Sequence, residues 1–185
     1  MVVRSEAPPV GTRYHERWLG LAARLAPLLF LLTAGACLRF YDLGYRSLWL
    51  DEVITAQVVR IPDLSSALNY VAQMDGNGTP LHYLITWFLR PIGVDEFAIR
   101  VPYAIAGLLA VIAMYALAAR LYGRAIGLVA GTLLAILPYA IFYSQESRSY
   151  AFLMLLTTAV MLAAYRAASR GRVIDWAFLA IAGVP

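Results

Sequence analysis

The sequence predicts an all-α protein that crosses a membrane several times. Of its 185 residues, 62% are hydrophobic and only 14% are charged, whereas a soluble domain is roughly half apolar and a quarter charged. Runs such as 101–119 and 125–143 are apolar throughout and lack the polar face of a surface helix. Helices in contact with lipid explain this pattern, and the core of a soluble domain does not.

The spans follow from the lengths of the apolar runs, because a helix needs about 20 apolar residues to cross a bilayer. A polar tail, residues 1–18, precedes four predicted spans and the start of a fifth, at residues 19–40, 100–119, 125–143, 150–168 and 173–185. A cleaved signal peptide is the rival interpretation of the first run, but the long tail before it favours a retained anchor. The chain stops inside the fifth run, which predicts that it is part of a longer protein and inactive by itself.

The distribution of arginine predicts the side of the membrane on which each connection lies. The stretch 80–92 is apolar but short and contains His82 and Arg90, so we expect it to lie at the interface rather than to cross. Every arginine-rich short connection then falls on the cytoplasmic side, including the turn 120–124, as the positive-inside rule requires. These arginines are Arg4, Arg13, Arg17, Arg24, Arg120, Arg124, Arg166, Arg170 and Arg172. A long loop, 41–99, and a short one, 144–149, are left outside.

Other classes of protein and site fit the sequence less well. The net charge of +4 does not indicate nucleic-acid binding, because the arginines are dispersed and concentrate at helix ends. A single cysteine, Cys37, excludes an internal disulfide framework. The sequence has no cysteine–histidine cluster typical of zinc, no phosphate-binding Gly-rich loop with Lys-Ser or Lys-Thr, and no Gly-x-Ser-x-Gly motif.

An acidic pair stands near the start of the long outer loop. Residues of about 52–61 form an amphipathic helix that we expect to lie along the membrane surface, as we do for 80–92. Asp51 and Glu52 are at the N-terminus of the first of these helices. They either cap the helix and favour its dipole or take part in chemistry, and both readings stay open.

The short outer loop carries two charges between predicted spans. Glu146 and Arg148 are costly there unless they pair or face a polar cavity. They could simply neutralise each other in a turn. The predicted topology puts them on the same side of the membrane as Asp51 and Glu52, so the two loops together could form a site. A lone histidine such as His82 is more typical of a structural residue than of a ligand.

Five short motifs follow one another along the chain. Together they resemble the N-terminal half of GT-C glycosyltransferases, closest to glycosyltransferase family 39 and its relatives, the protein O-mannosyltransferases and the lipid A aminoarabinose transferases. The resemblance covers about residues 19–172. The motifs are Leu48–Glu52, Gly78–Tyr83, Phe97–Pro102, Leu121–Arg124 and Tyr143–Ala151.

The resemblance implies a GT-C type bundle of several spans whose long first outer loop carries amphipathic juxtamembrane helices. It implies transfer of a hexose or pentose from a polyprenyl-phosphate carrier to a glycan, lipid or protein acceptor. The reaction would take place on the outer face of a membrane, which we expect to be a bacterial plasma membrane. The family often has His-Pro-Pro where this chain has Gly78-Thr79-Pro80, so His82 is not the motif histidine.

The chemistry of such a transfer assigns roles to the candidate residues. Asp51 is the candidate general base for the acceptor hydroxyl. An arginine fork can stabilise the departing lipid phosphate, with Arg148 the first candidate and Arg46 the second. The further candidates for substrate binding are Glu52, Glu146, Tyr150 and His82. If the enzyme uses a divalent cation, Mg²⁺ or Mn²⁺, the oxygen ligands would come from Asp51, Glu52 and Glu146.

Two other functions compete with the enzyme. A secondary transporter would carry charges near the bilayer midplane, but residues 101–117 and 125–137 have none. A structural subunit of a membrane complex would explain the hydrophobicity, yet it gives no purpose to a long outer loop with a surface helix. The sequence therefore favours the glycosyltransferase.

Overall fold

In the computed structural model, which describes residues 10–76 and 80–182, all the regular secondary structure of these residues is helical. The predicted all-α membrane architecture is confirmed. Parts of four sequence predictions lie outside the described residues or side chains, namely the start of the tail with Arg4, the Gly78-Thr79 turn, residues 183–185 of the fifth predicted span, and the side chains of Arg13, Arg17, Arg24 and Arg170.

Six helices form the bundle, with α5 at its centre. They are α1 (Val10–Phe40), α5 (Glu96–Tyr122), α6 (Arg124–Ile136), α7 (Pro138–Ser144), α8 (Tyr150–Arg170) and α9 (Val173–Ala182). Helix α5 packs against α1, α6, α7 and α8. Helices α5 and α8 are long and apolar enough to cross a membrane, and α6 with α7 would make a third span. The sidedness inferred from arginine stays a prediction.

Small residues allow α5 and α6 to approach each other closely. Gly123 joins them at a φ of 90°, where a side chain would be strained. Further along α6, a Cβ atom at Gly127 would lie 2.7 Å from the Cβ of Ala119 and 2.9 Å from the carbonyl oxygen of Tyr115. Only glycine at this position permits the observed packing.

The third predicted span, 125–143, is bent in the structure. Helix α6 ends at Ile136, α7 begins at Pro138, and the two axes differ by 62°. The physical reason is Pro138, which has no N–H to donate to the carbonyl of Leu134 and whose ring obstructs a continuous helix. Apolar length alone predicted one straight helix here, whereas the proline divides it.

Three helices fold the long loop (residues 41–95) into a small body with its own core. They are α2 (Leu50–Arg60), α3 (Leu64–Met74) and α4 (Pro80–Phe88), followed by a short 3₁₀ helix (Arg90–Ile92). Their buried core consists of Val58, Ala67, Val71 and Tyr83. The sequence analysis placed helices at about 52–61 and 80–92 and missed α3, whose first turn is capped by Asp63 accepting from the Ser66 N–H at 2.8 Å.

The end of α4 is fixed to the end of α2. The indole N–H of Trp87 donates to the carbonyl of Ile61 at 2.8 Å, and Arg90 donates to the same carbonyl at 3.0 Å. The Arg90 guanidinium also lies 3.9 Å from the centre of the Trp87 ring, a cation–π contact. These contacts hold the C-terminal ends of α2 and α4 together, shortly before α5 begins in the sequence.

Candidate functional site

Glu52 joins the long loop to the short loop (residues 145–149). Its carboxylate is fully buried at the first turn of α2. One oxygen accepts from Arg100 Nη2 at 2.6 Å, and the other accepts from Arg100 Nε and from the Ser147 N–H, both at 2.9 Å. Burial alone would raise the pKa of Glu52, but the hydrogen bonds from Arg100 and Ser147 outweigh it and lower that pKa. Glu52 is therefore ionised, and its carboxylate forms a joint between the two loops.

Arg100 extends this joint to the segment that precedes α2. Its guanidinium donates to the carbonyls of Leu43 at 2.9 Å, Arg46 at 2.8 Å and Ser47 at 3.2 Å. Arg100 is itself buried near the start of α5. Three segments that are distant in sequence thus meet at one ion pair. Arg100 was not among the site residues predicted from the sequence, although a charged residue at the start of an apolar run was a visible signal of a buried ion pair.

Asp51, the neighbour of Glu52, lies in a different environment. Its side chain is 41% exposed, and its carboxylate is 3.8 Å from Arg148 Nε. Arg148 Nη1 lies 3.2 Å from the carboxylate of Asp75, which also accepts a hydrogen bond from the Tyr83 hydroxyl at 2.7 Å. Asp51, Arg148, Asp75 and Tyr83 form what we call the arginine cluster.

Sequence reasoning missed Asp75 and Tyr83. Asp75 follows the last residue of α3, at its C-cap, and is the only acidic residue between Leu64 and Val94. This isolation from other acidic residues was the signal that could have found it. Tyr83 gave no such signal, because a tyrosine in an interfacial helix is common.

A cavity of about 670 Å³ opens beside the short loop. Four of the residues selected from the sequence line it, Arg46, Glu52, Glu146 and Tyr150. Much of the rest of the wall is aromatic, from Tyr41, Tyr45, Trp49, Phe142 and Tyr143. A mostly apolar wall with a few polar groups is typical of a pocket for a small molecule. Asp51, Arg148 and His82 are not among the residues that line it.

Glu146 is a buried carboxylate of this cavity that makes no ion pair with any described residue. It is 8% exposed. Burial raises the pKa of Glu146 to about 6, and the negative charges of Glu52 and Asp51 act in the same direction, opposed by Arg100 and Arg148. The charge of Asp51 therefore affects the pKa of Glu146 although Asp51 does not line the cavity. A carboxyl with this pKa can bind a sugar hydroxyl or exchange a proton near neutral pH.

Arg46 and Tyr150 are more exposed than Arg148 and are not held by ion pairs with described residues. The Arg46 side chain is exposed and makes no ion pair with any residue that the structure describes. Tyr150 is 44% exposed, and its ring lies 4.6 Å from that of Tyr143, centre to centre. Arg46 and Tyr150 are therefore both open to a ligand in the cavity.

His82 lies inside the protein, away from the cavity. It is 2% exposed, and its Nδ1 is 3.0 Å from the hydroxyl of Tyr103, which in turn lies 2.9 Å from the Thr86 hydroxyl. Burial lowers the pKa of His82 to about 4, and the charge of Arg148 adds to the effect. A neutral, hydrogen-bonded, buried histidine fits a structural role better than the predicted contact with substrate.

The predicted cation ligands are not gathered into a metal site. Within residues 10–76 and 80–182, no group of three or more His, Cys, Asp or Glu side chains is arranged to hold a metal ion. Of the three candidates, Glu52 is bonded to Arg100 and Asp51 pairs with Arg148. The described side chains therefore do not fit a divalent cation.

Comparison with known proteins identifies a family. The sequence model of one protein family, Dolichyl-phosphate-mannose-protein mannosyltransferase, matches residues 77–184, more than half of the chain. No curated protein and no solved structure matches the chain. The matched range includes Tyr83 and Arg148 of the arginine cluster, as well as Glu146 and Tyr150. It begins after Asp51, Glu52 and Asp75.

Proposed function

The chain belongs to the dolichyl-phosphate-mannose-protein mannosyltransferase family, and we propose that it transfers a sugar from a polyprenyl-phosphate donor to an acceptor on the extracytoplasmic face of a bacterial plasma membrane. Membership of the family indicates a mannosyltransferase-like glycosyltransferase of the membrane. The observation that carries the proposal is the meeting of the two loops, where Glu52 accepts from the Ser147 N–H at 2.9 Å. This contact brings the acidic residue of one loop, Asp51, near that of the other, Glu146.

Asp51 is the general base in this proposal. The acceptor hydroxyl oxygen forms a bond to the anomeric carbon as the bond from that carbon to the phosphate oxygen breaks. Polyprenyl phosphate leaves with the electron pair, and the hydroxyl proton passes to Asp51. The exposure of Asp51, 41%, supports this role because an acceptor can reach it. Arg148, 3.8 Å away, holds the carboxylate in place.

Arg46 is better placed than Arg148 to bind the donor phosphate. The charge of Arg148 is already compensated by Asp75 at 3.2 Å and Asp51 at 3.8 Å. Arg46 has no such partner among the described residues and lines the cavity. An unpaired guanidinium can form two parallel hydrogen bonds to a phosphate. We therefore assign phosphate binding to Arg46 and the orientation of Asp51 to Arg148, which reverses their order in the sequence analysis.

The cavity suits the sugar of the donor. Tyr143 and Tyr150 offer aromatic faces, and Glu146 offers a carboxyl that can accept from or donate to sugar hydroxyls. The lipid tail would leave along the interfacial part of the long loop, where Phe88 is 63% and Ile92 is 64% exposed. Exposed apolar side chains on a short amphipathic helix are typical of a membrane surface.

The test is sugar transfer by the full-length protein in membranes, with labelled polyprenyl-phosphate sugars as donors. We compare wild type with Asp51→Asn and Glu146→Gln, each of which removes a negative charge and keeps the shape. Removal of a general base is expected to lower transfer by about 100-fold or more. We expect a loss for Glu146→Gln too.

The matched control is Asp63→Asn. It makes the same chemical change in the same loop, but on the exposed N-cap of α3, where asparagine caps as well as aspartate does. Its transfer is expected to equal that of wild type. If wild type transfers sugar and the Asp51 and Glu146 variants equal the control, the assignment of the site is wrong. If wild type transfers no sugar from any donor, the proposed reaction itself fails.

A further inference from the structure

Arg39 is a fully buried cation near the C-terminal end of α1. Its guanidinium donates only to backbone carbonyls, from Nη1 to Gly35 at 3.2 Å and Ala135 at 3.1 Å, and from Nη2 to Leu134 at 3.2 Å. It has no ion pair in the part of the chain that the structure describes. A charge in a membrane protein with carbonyl partners alone marks a position with a specific task.

Two of the three carbonyls that Arg39 binds, those of Leu134 and Ala135, lie at the break between α6 and α7, and the third, that of Gly35, is in α1 itself. The N–H of Leu137 still donates to the carbonyl of Leu133 at 3.0 Å. The next carbonyl, that of Leu134, would pair with residue 138 in a continuous helix, but Pro138 has no N–H. A buried carbonyl without a partner is costly, most of all in lipid. Arg39 supplies the missing donor, and its positive charge also suits the negative end of the α6 dipole.

The reverse contact is present as well. Gln145, directly after α7, donates from its side-chain amide to the carbonyls of Leu38 at 3.2 Å and Tyr41 at 2.9 Å. These carbonyls lie at the C-terminal end of α1, where a helix leaves acceptors unpaired. Helix α1 thus caps the end of α6, and the residue after α7 caps the end of α1. The two helix ends fix each other.

Helix α5 leaves room for this arrangement at Gly107. A Cβ atom there would lie 3.1 Å from Arg39 Nε and 2.7 Å from the Cβ of Ser144, the last residue of α7. The buried arginine and the end of α7 are therefore packed against the same glycine. Any change in the course of α7 moves Glu146, which follows two residues later.

We propose that Arg39 is a positioning residue, which takes the place of the N–H that Pro138 lacks, sets the bend between α6 and α7, and so holds Glu146 at the cavity. The effect on sugar transfer rests on the proposed function. The bend does not, because it follows from backbone contacts alone.

The test uses the full-length protein with four variants, Arg39→Met, Pro138→Ala, the double variant of these two, and Arg120→Met as the control. Arg120 donates to the carbonyl of Ala116 at an exposed helix end, so it makes the same type of contact elsewhere. Thermal unfolding in detergent, sugar transfer and the α6–α7 distance are measured for each. The distance comes from spin labels at Ile126→Cys and Phe142→Cys in a Cys37→Ser background. Because Phe142 lines the cavity, sugar transfer is measured in the unlabelled variants, which keep Phe142.

Arg39→Met is expected to lower the melting temperature and to reduce transfer at least tenfold, whereas Pro138→Ala and the control keep both. In the double variant, the new N–H of residue 138 satisfies the Leu134 carbonyl, so the melting temperature recovers. Without Arg39 the helix straightens, the label distance increases by about 3 Å for a rise of about 1.5 Å per residue, and transfer stays low. This separation of stability from activity is the signature of positioning.

Three results would overturn the proposal. They are recovery of transfer together with stability in the double variant, an unchanged label distance in that variant, and a melting temperature that does not recover when Pro138 is replaced. If wild type transfers no sugar, the proposed function fails, and the melting temperatures and label distances still decide whether Arg39 sets the bend. If Arg39→Met does not fold, the double variant alone carries the comparison.

Discussion

The carboxylate of Glu52 and the guanidinium of Arg100 face each other edge to edge, with contacts of 2.6 and 2.9 Å. Only 1% of the Glu52 side chain and 5% of the Arg100 side chain reach solvent. Each partner has further hydrogen bonds, Glu52 from the Ser147 N–H and Arg100 to three carbonyls before α2. A buried pair with all of its polar atoms engaged holds the two loops and α5 in one arrangement.

Breaking this pair is expected to be costly. In Glu52→Gln the Arg100 guanidinium stays buried without a counter-charge, which typically costs about 3–5 kcal/mol. The free energy of unfolding in detergent measures the loss. The double variant Glu52→Gln with Arg100→Met leaves no uncompensated charge and is expected to lose less than Glu52→Gln alone. A loss below about 1 kcal/mol for Glu52→Gln, as for an exposed pair, would contradict the role of the joint.

Asp75 is expected to matter for activity although it does not face the cavity. Asp75→Asn removes the charge that holds Arg148 at 3.2 Å, so Arg148 turns more toward Asp51 and disturbs the proposed base. The loss of a charged hydrogen bond costs roughly 1.5–3 kcal/mol. Transfer is expected to fall, and Tyr83→Phe, which removes only the hydroxyl, is expected to have a smaller effect. Equal transfer by Asp75→Asn and wild type would show that Arg148 needs no second partner.

His82 makes stability depend on pH. Burial lowers its pKa from 6.5 to about 4, so the folded protein keeps the ring neutral. Between these values the unfolded chain binds a proton that the folded chain does not, and the free energy of unfolding falls as pH falls. Above 6.5 the contribution is fully present, and it is lost as pH drops toward 4.

The variant His82→Gln removes this dependence and tests it. The difference in melting temperature between wild type and His82→Gln is expected to shrink or change sign as pH is lowered through that window. Other titrating groups cancel in the difference. Parallel curves for the two proteins would mean that His82 is protonated as easily in the folded chain as in the unfolded one.

Close packing of α5 and α6 predicts the effect of a single methyl group. In Gly127→Ala the new Cβ would lie 2.7 Å from the Cβ of Ala119, so the helices must separate. Overpacking of this kind costs about 1–3 kcal/mol. Val129→Ala is the control, because Val129 is on the same helix and 56% exposed. Thermal unfolding that is the same for both variants would rule out a close contact at Gly127.

The sequence alone predicted those helices whose physical signal is local. Continuous apolar character predicted the runs that became α5 and α8, and the amphipathic pattern after Asp51 predicted the helix that became α2. Pro138, which causes the bend, is visible in the sequence, but the long apolar run around it predicted a single span. Helix α3 was missed because it is short, 11 residues, and its clearest local signal is a single capping residue, Asp63.

The candidate site was harder to predict because it depends on contacts between distant residues. Asp51 and Glu52 are adjacent and chemically alike, and the sequence cannot tell which of them turns inward. Glu52 is buried because Arg100 and Ser147 meet it there, 48 and 95 residues further along the chain. The sequence favoured Arg148 as the phosphate ligand, but in the structure Asp75 lies 3.2 Å from it and compensates its charge. Pairings of this kind arise only when the helices pack.

The separate core of the long loop makes this part of the protein transferable. Because α2, α3 and α4 pack on Val58, Ala67, Val71 and Tyr83, residues 50–92 can be exchanged as a unit for the same segment of a relative if the contacts with α5 and the short loop are kept, such as His82 with Tyr103 and Asp75 with Arg148. The exchange must keep the acidic residue that meets Arg100. Chimeras built in this way would test whether the long loop affects the choice of acceptor in the proposed transfer.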